Sequence, residues 1–291
     1  MVQPGSAALS LEAPAKINLY LHVTGRRADG YHLLDSLVVF AAVGDTLRIE
    51  PADELTLTNE GPFGAILEPG PNNLVLRAAR SLAAEAGIDR GARLTLVKRV
   101  PVAAGLGGGS SDAAAALKGL AKLWDVDVDS EDLARLGLDL GADVPVCLYG
   151  APAYVSGIGE VIEAAPTLPE THLVLANPGR PVLTAAVYAA QVGRFAAPAR
   201  FADAPADARA LAEVLSRREN GLAAAAATIE PVIGETLAVL AQLDGCLLAR
   251  LCGSGPTCFA MFADGAAAAT AAATLAQAHP GWWVTATRLA P

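Results

Sequence analysis

The chain has 291 residues, 53% of them hydrophobic and 18% charged, which suits one large or two ordinary packed domains and excludes disorder. Its formal charge of −9 argues against a general nucleic-acid binder, so any polyphosphate ligand would need cations concentrated locally. No apolar run approaches the roughly 18 residues of a membrane span, and Met1-Val-Gln-Pro-Gly-Ser6 carries no secretion signal, so a cytoplasmic protein without a membrane partner is expected.

The elements follow in chain order. From Lys16 to Val23 polar and apolar residues alternate, as in a half-buried strand with Lys16, Asn18, Tyr20 and His22 on one face. Simple solvent exposure of that polar face is the bland reading. Thr24 to Gly30 is a turn-rich loop, and Tyr31-His32 opens an apolar strand running to Phe40. Two further strand-like runs lie at Thr46–Ile49 and Glu54–Thr58, and Asn73 is placed to cap a helix over 74–86.

Arg93 to Val100 reads as another strand, and Ala113 to Trp124 as a helix of strong helix formers. Between them lies Pro101-Val102-Ala103-Ala104-Gly105-Leu106-Gly107-Gly108-Gly109-Ser110-Ser111-Asp112. Strand, glycine loop and helix together present bare backbone N–H groups at the positive end of a helix dipole. Four glycines between 105 and 109 let the backbone curl around an anion. Ser110 or Ser111 can cap the helix and offer a hydroxyl to a phosphate or its metal. The stretch reads as a phosphate cradle. It is not a P-loop, which needs Gly-Lys-Ser/Thr at its end, nor a dinucleotide fingerprint, whose sixth place is held here by Ser110.

Asp129-Ser130 begins a short helix, and Gly141-Ala-Asp143-Val-Pro145 follows it. Local sequence leaves Asp143 open as a helix cap or as a carboxylate held for chemistry. Strands joined by a turn at Gly157–Gly159 precede Pro166-Thr-Leu-Pro169, a boundary dividing the chain into domains at 1–165 and 166–291. The second half offers a strand at His172–Ala176 and a short helix with Tyr188. An alanine-rich helical stretch at 196–228 follows, then a helix over 231–243 and a strand at 246–250. A second glycine turn, Gly253-Ser-Gly-Pro-Thr257, leads into a strand, a helix over 265–278 and a last strand at 282–287. The cysteines at 147, 246, 252 and 258 are too few for a disulfide scaffold and form no close metal-type pairs. Buried free thiols are expected.

Pro14-Ala-Lys-Ile-Asn-Leu19, Gly105-Leu-Gly-Gly-Gly-Ser-Ser-Asp-Ala-Ala114 and Gly253-Ser-Gly-Pro-Thr257 resemble, in order and spacing, the three signature motifs of the GHMP kinases. Gly25-Arg-Arg-Ala-Asp-Gly-Tyr-His32 and Gly141-Ala-Asp-Val-Pro145 resemble the branch of that family acting on a cytidyl diphosphate of methylerythritol, in the non-mevalonate route to isoprenoids. The resemblance implies a two-domain α+β (α/β two-layer) kinase with its active site in a cleft between the domains, using ATP and Mg²⁺ on a small-molecule substrate.

Residue by residue, the resemblance puts Lys16 and Asp143 at the substrate hydroxyl. It puts Pro101 to Ser111, with Asn73 and Lys98, at the nucleotide. Asn18 would orient the erythritol end, and Tyr31, His32 and Tyr188 would hold the cytosine ring. Ser110 or Ser111 would be a metal ligand, and Asp112 a weak one or only a partner of the helix N-terminus. Two departures stand out: Ala103-Ala104 where the family usually has a further glycine, and Asn220-Gly221-Leu222 in place of Asn-Asp-Leu. The rival readings are a GHMP kinase for homoserine, mevalonate or a sugar, and a non-catalytic ligand sensor on the same fold.

Overall fold

The computed structural model describes residues 8–67, 70–191 and 194–290. The chain opens with two long strands, β1 (Leu9–Arg26) and β2 (His32–Ala52), and then β3 (Leu55–Glu60). Next come α1 (Leu74–Ala86), β4 (Gly91–Val97), α2 (Gly108–Trp124), α3 (Ser130–Leu140) and α4 (Val144–Tyr149). The remainder runs β5 (Ala153–Gly157), β6 (Val161–Ala164), β7 (His172–Asn177), α5 (Thr184–Ala190), α6 (Ala208–Ser216), α7 (Ala223–Ile229) and α8 (Val232–Ala241). It ends with β8 (Leu248–Leu251), β9 (Cys258–Phe262), α9 (Gly265–Ala278) and β10 (Trp283–Arg288). Among the described residues no helix is long and apolar enough to cross a membrane.

The chain forms two compact units that interleave along the sequence. The first takes the chain up to Ala15, Gly44–Val102 and Gly107–Gly150. In it the second half of β2 pairs antiparallel with β4, from Thr46 opposite Val97 to Ala52 opposite Gly91, and β3 adds in parallel to β4. Helices α1 to α4 pack against one another, and α2 can come close because Ala113 to Ala116 are small as well as buried. Asn73 starts α1 by accepting a hydrogen bond from the Val75 amide (2.9 Å), and Gly87 ends it in the left-handed conformation.

The second unit takes Lys16–Val43, Ala103–Leu106 and everything from Ala151 on, so Pro166–Pro169 lies inside it. Here the first half of β2 pairs antiparallel with β5, from Leu34 opposite Gly157 to Val38 opposite Ala153, and β5 turns back as β6. A second, antiparallel sheet has the order β10-β7-β9-β8. Its core gathers Val174, Val187, Leu222, Ile233, Leu251, Phe262 and Leu275 with Leu21 and Val23 of β1. Each such side chain stabilises the fold by about 1.5–3 kcal/mol on burial.

One expectation is overturned in this unit. From Lys16 to Val23, β1 is buried on both faces, not half-buried. The alternation is real, but Lys16, Asn18, Tyr20 and His22 are all 6% exposed or less. Their polar atoms are satisfied by protein partners, so exposure does not explain them.

Candidate active site

Within the second unit the three sequence motifs meet backbone to backbone. The Lys16 amide donates to the Leu106 carbonyl (2.8 Å), and the Thr257 amide donates to the Ala104 carbonyl (3.2 Å). Gly105 lies so close to the turn before β9 that a Cβ there would stand 2.5 Å from the Cys252 oxygen and 2.7 Å from the Gly255 oxygen. Only glycine fits. Ala103, just ahead, has φ of +53°. One of the two alanines that stand where the family usually has a further glycine therefore holds a left-handed conformation.

The Lys16 side chain leads into a buried polar chain. Its ammonium donates to Asn18 Oδ1 (3.0 Å), Asn18 Nδ2 donates to Ser36 Oγ (2.8 Å), and Ser36 Oγ donates to the Tyr20 carbonyl (2.6 Å). Next to it, Asp35 accepts from the Tyr20 hydroxyl (2.9 Å), the Ala199 amide (2.8 Å) and Arg200 Nε (3.0 Å). Burial, helped by Asp35, pushes the Tyr20 phenol far above its usual range. His22 is clasped on both nitrogens: Nε2 accepts from the Glu219 amide (3.2 Å), so Nδ1 carries the proton given to the Ala197 carbonyl (2.8 Å). These contacts fasten the stretch after residue 196 onto β1 and β2.

At the start of β2, the His32 and Tyr188 rings lie 5.3 Å apart between centroids and are tilted by 32°. Burial, and then the nearby Arg26 guanidinium, lower the His32 pKa, so the imidazole is neutral at pH 7. Tyr31, by contrast, is 61% exposed, with its amide bonded to Asp29 Oδ1 (3.2 Å). Further on, Asn220 accepts from the Leu222 amide (2.9 Å) and donates to the carbonyls of Leu251 (2.9 Å) and Gly253 (2.7 Å). Asn220 thus ties the start of α7 to the third motif.

The first unit carries the helix end. Helix α2 starts at Gly108, five residues before its alanine run, with Gly107 as N-cap at φ 60° and no side-chain cap. Neither serine caps it. Ser111 is already inside the first turn, its amide bonded to Gly107 O (2.9 Å), and its hydroxyl donates to the Pro14 carbonyl (2.6 Å). Ser110 is half-buried at the same turn, where a hydroxyl can reach an anion or its metal. Asp143 occupies the N-cap position of α4 but makes no capping bond. Helix α4 packs on α2, with Cys147 Sγ 3.5 Å from Ser111 Oγ, which sets Asp143 on the element lying against the helix start.

Lys98, just past β4, is 2% exposed and bridges two buried carboxylates, Asp45 Oδ2 (2.5 Å) and Asp112 Oδ2 (2.7 Å). Burial opposes its charge, but the two carboxylates outweigh burial and raise its pKa. Asp45 Oδ1 also accepts the amides of Arg99 (2.5 Å) and Val100 (3.1 Å), at the point where the strand gives way to the loop.

Two family models match the chain: the GHMP kinases N terminal domain over residues 73–151 and the GHMP kinases C terminal domain over 202–281. A 4-diphosphocytidyl-2-C-methyl-D-erythritol kinase of Paramagnetospirillum magneticum is 54% identical over 95% of this chain and 97% of its own length. One of Rhodospirillum rubrum is 51% identical over 99% and 95%. The chain belongs to the GHMP kinase family.

A crystal structure of 4-(cytidine 5'-diphospho)-2C-methyl-D-erythritol kinase superposes on this GHMP kinase with a TM-score of 0.77, at 36% identity over 97% of this chain and all of the other. A homoserine kinase of Cytophaga hutchinsonii, 16% identical with a TM-score of 0.74, shares the fold. In this GHMP kinase the second unit brings together Lys16, Asn18, Gly105, Leu106 and the third motif, and pairs His32 with Tyr188. The first unit holds Gly107 to Ser111, Asn73, Lys98 and Asp143. Asp35 and Ser36 escaped sequence reasoning. Their one signal was two polar residues interrupting the apolar run from Leu33 to Phe40. The four cysteines are free thiols, three buried and Cys246 half-buried.

Proposed function

We propose that this GHMP kinase transfers the γ-phosphoryl group of ATP to the 2-hydroxyl of 4-diphosphocytidyl-2-C-methyl-D-erythritol. The observation that carries this reading is the His32–Tyr188 ring pair, on the same unit as Lys16. A neutral imidazole beside a phenol suits a pyrimidine, whose face stacks and whose polar edge accepts and donates hydrogen bonds. Homoserine, mevalonate and galactose have no base to stack. Relatives about half identical along nearly the whole chain, all named for the cytidyl substrate, support the same choice.

In the reaction we propose, Asp143 accepts the proton of the 2-hydroxyl as its oxygen attacks the γ-phosphorus and the bond to ADP breaks. Lys16 draws electron density from the same hydroxyl. The amides of Gly107 to Ser110, at the start of α2, receive phosphate charge, and Pro101 to Leu106 form the rest of the nucleotide loop. Asn18 holds the Lys16 ammonium beside the erythritol end. Among the described residues no group of three or more His, Cys, Asp or Glu is placed to hold a metal. Mg²⁺, held mostly by phosphates and water, would take the Ser110 hydroxyl as its protein ligand. The metal would neutralise phosphate charge during transfer.

A coupled ADP-release assay with ATP tests the reading against the cytidyl substrate, mevalonate, homoserine and galactose. Turnover is expected with the cytidyl substrate alone. Comparable turnover with any of the other three overturns the assignment.

A further inference from the structure

We infer that Ser36 is a positioning residue for phosphoryl transfer, acting on the Lys16 ammonium through the Asn18 amide. Three hydrogen bonds join these groups in series, all inside the second unit: Lys16 Nζ to Asn18 Oδ1 (3.0 Å), Asn18 Nδ2 to Ser36 Oγ (2.8 Å) and Ser36 Oγ to the Tyr20 carbonyl (2.6 Å).

The direction of the series is forced from both ends. An ammonium has only donors, and a peptide carbonyl has only lone pairs. Ser36 has one hydroxyl proton, and the Tyr20 carbonyl takes it. Its Oγ can therefore only accept from Asn18, so the NH₂ of that amide must face Ser36 and the oxygen must face Lys16. Without Ser36 the ammonium alone would set this orientation, with nothing fixing the amide from its other end. Flipped by half a turn, it would point N–H donors at an ammonium and repel it.

Burial makes the orientation matter. Lys16 is 4% exposed, Asn18 5% and Ser36 1%, so water cannot restore a lost partner. The backbone here is held independently, by the Lys16 amide on Leu106 and by the pairing of Ser36 with Val155 across β2 and β5. Removing the hydroxyl thus loosens the ammonium without unravelling the strand.

The inference rests on the role of Lys16 proposed above. Its test is a mutant cycle with ATP and the cytidyl substrate: Ser36→Ala, Asn18→Ala and the double variant, with Lys16→Ala as control. Ser36→Ala is expected to lower kcat about tenfold, the scale of one net hydrogen bond, with KM for ATP changed less than twofold. Ser36→Thr, which keeps the hydroxyl, should return most of that kcat. In the Asn18→Ala background, Ser36→Ala should cost nothing more. A Ser36→Ala kcat within twofold of the parent, or an equal loss in both backgrounds, overturns the relay. If Ser36→Ala does not fold, Ser36→Cys carries the same cycle, since a thiol is a poor acceptor of similar shape. Near-normal turnover in Lys16→Ala would instead sink the proposed role of the lysine.

Discussion

The Lys98 ammonium stands 2.7 Å from Asp112 Oδ2, joining the end of β4 to the first turn of α2. With Asp45 on its other side, it locks the two ends of the glycine stretch inside the first unit. Removing one partner of such a buried group strands the others as uncompensated charges. Lys98→Met is expected to lower unfolding free energy by about 3–5 kcal/mol, read from urea denaturation. Adding Asp112→Asn should recover part of the loss. A Lys98→Met protein of parental stability, with only its KM for ATP raised, would make this lysine a nucleotide ligand and not a structural bridge.

The loop itself offers a pair of opposite predictions. Ala103 holds φ at +53°, a conformation costing an L-residue about 1–2 kcal/mol, whereas glycine adopts it freely. Ala103→Gly also loosens the unfolded chain by about 0.4–1 kcal/mol, so the net gain should be small, about 0.5 kcal/mol. Gly105→Ala goes the other way, since its Cβ would overlap the Cys252 and Gly255 carbonyls. It should destabilise by more than 2 kcal/mol, about the cost of a positive φ with a steric overlap added. Thermal unfolding of both variants checks the pair, and the same sign for both would refute this account of the loop.

Much of this was legible in the sequence because it is local. Glycines crowded between an alternating strand and an alanine-rich run announce an anion-binding helix start, and Asn73 announces a cap. What was not legible depends on long-range packing. The alternation of β1 looked like a wet face, because nothing near Lys16 in sequence reveals that Ser36, Asp35 and the 197–201 segment cover it. The start of α2 was read too late, since glycine has poor helix propensity and only the Pro14 carbonyl and the Lys98–Asp112 bridge favour helix there. Nor does the sequence reveal that Lys98 bridges two buried carboxylates.

His32 gives a pH signature. Burial and Arg26 depress its pKa below the ordinary histidine value, so the folded protein binds this proton less readily than the unfolded chain does. Wherever the unfolded state binds more protons, stability rises with pH. The stabilising effect is therefore present above the ordinary histidine pKa and fades as pH falls through the folded value. For function, KM for the cytidyl substrate should rise as the ring protonates at a pH below the ordinary histidine range, while KM for ATP stays level. In His32→Phe the acid limb of the cytidyl profile should vanish. An acid limb persisting in that variant would place the titrating group elsewhere.

Asp143 is the sharpest test of the chemistry. It sits at the N-cap position of α4 and gives the helix no capping bond. Asp143→Asn keeps the shape and removes the proton acceptor. Lys98 bridges two other carboxylates, Asp45 and Asp112. Turnover is expected to fall by about 10²–10⁴-fold, the usual contribution of a positioned general base. The Kd for ATP, measured by calorimetry, should stay within about threefold, a shift under 1 kcal/mol. A variant that retains more than about a tenth of parental kcat, well short of a general base's contribution, would leave Asp143 at most orienting the hydroxyl. A collapse of ATP affinity alongside kcat would instead mean that this carboxylate holds the nucleotide loop in shape.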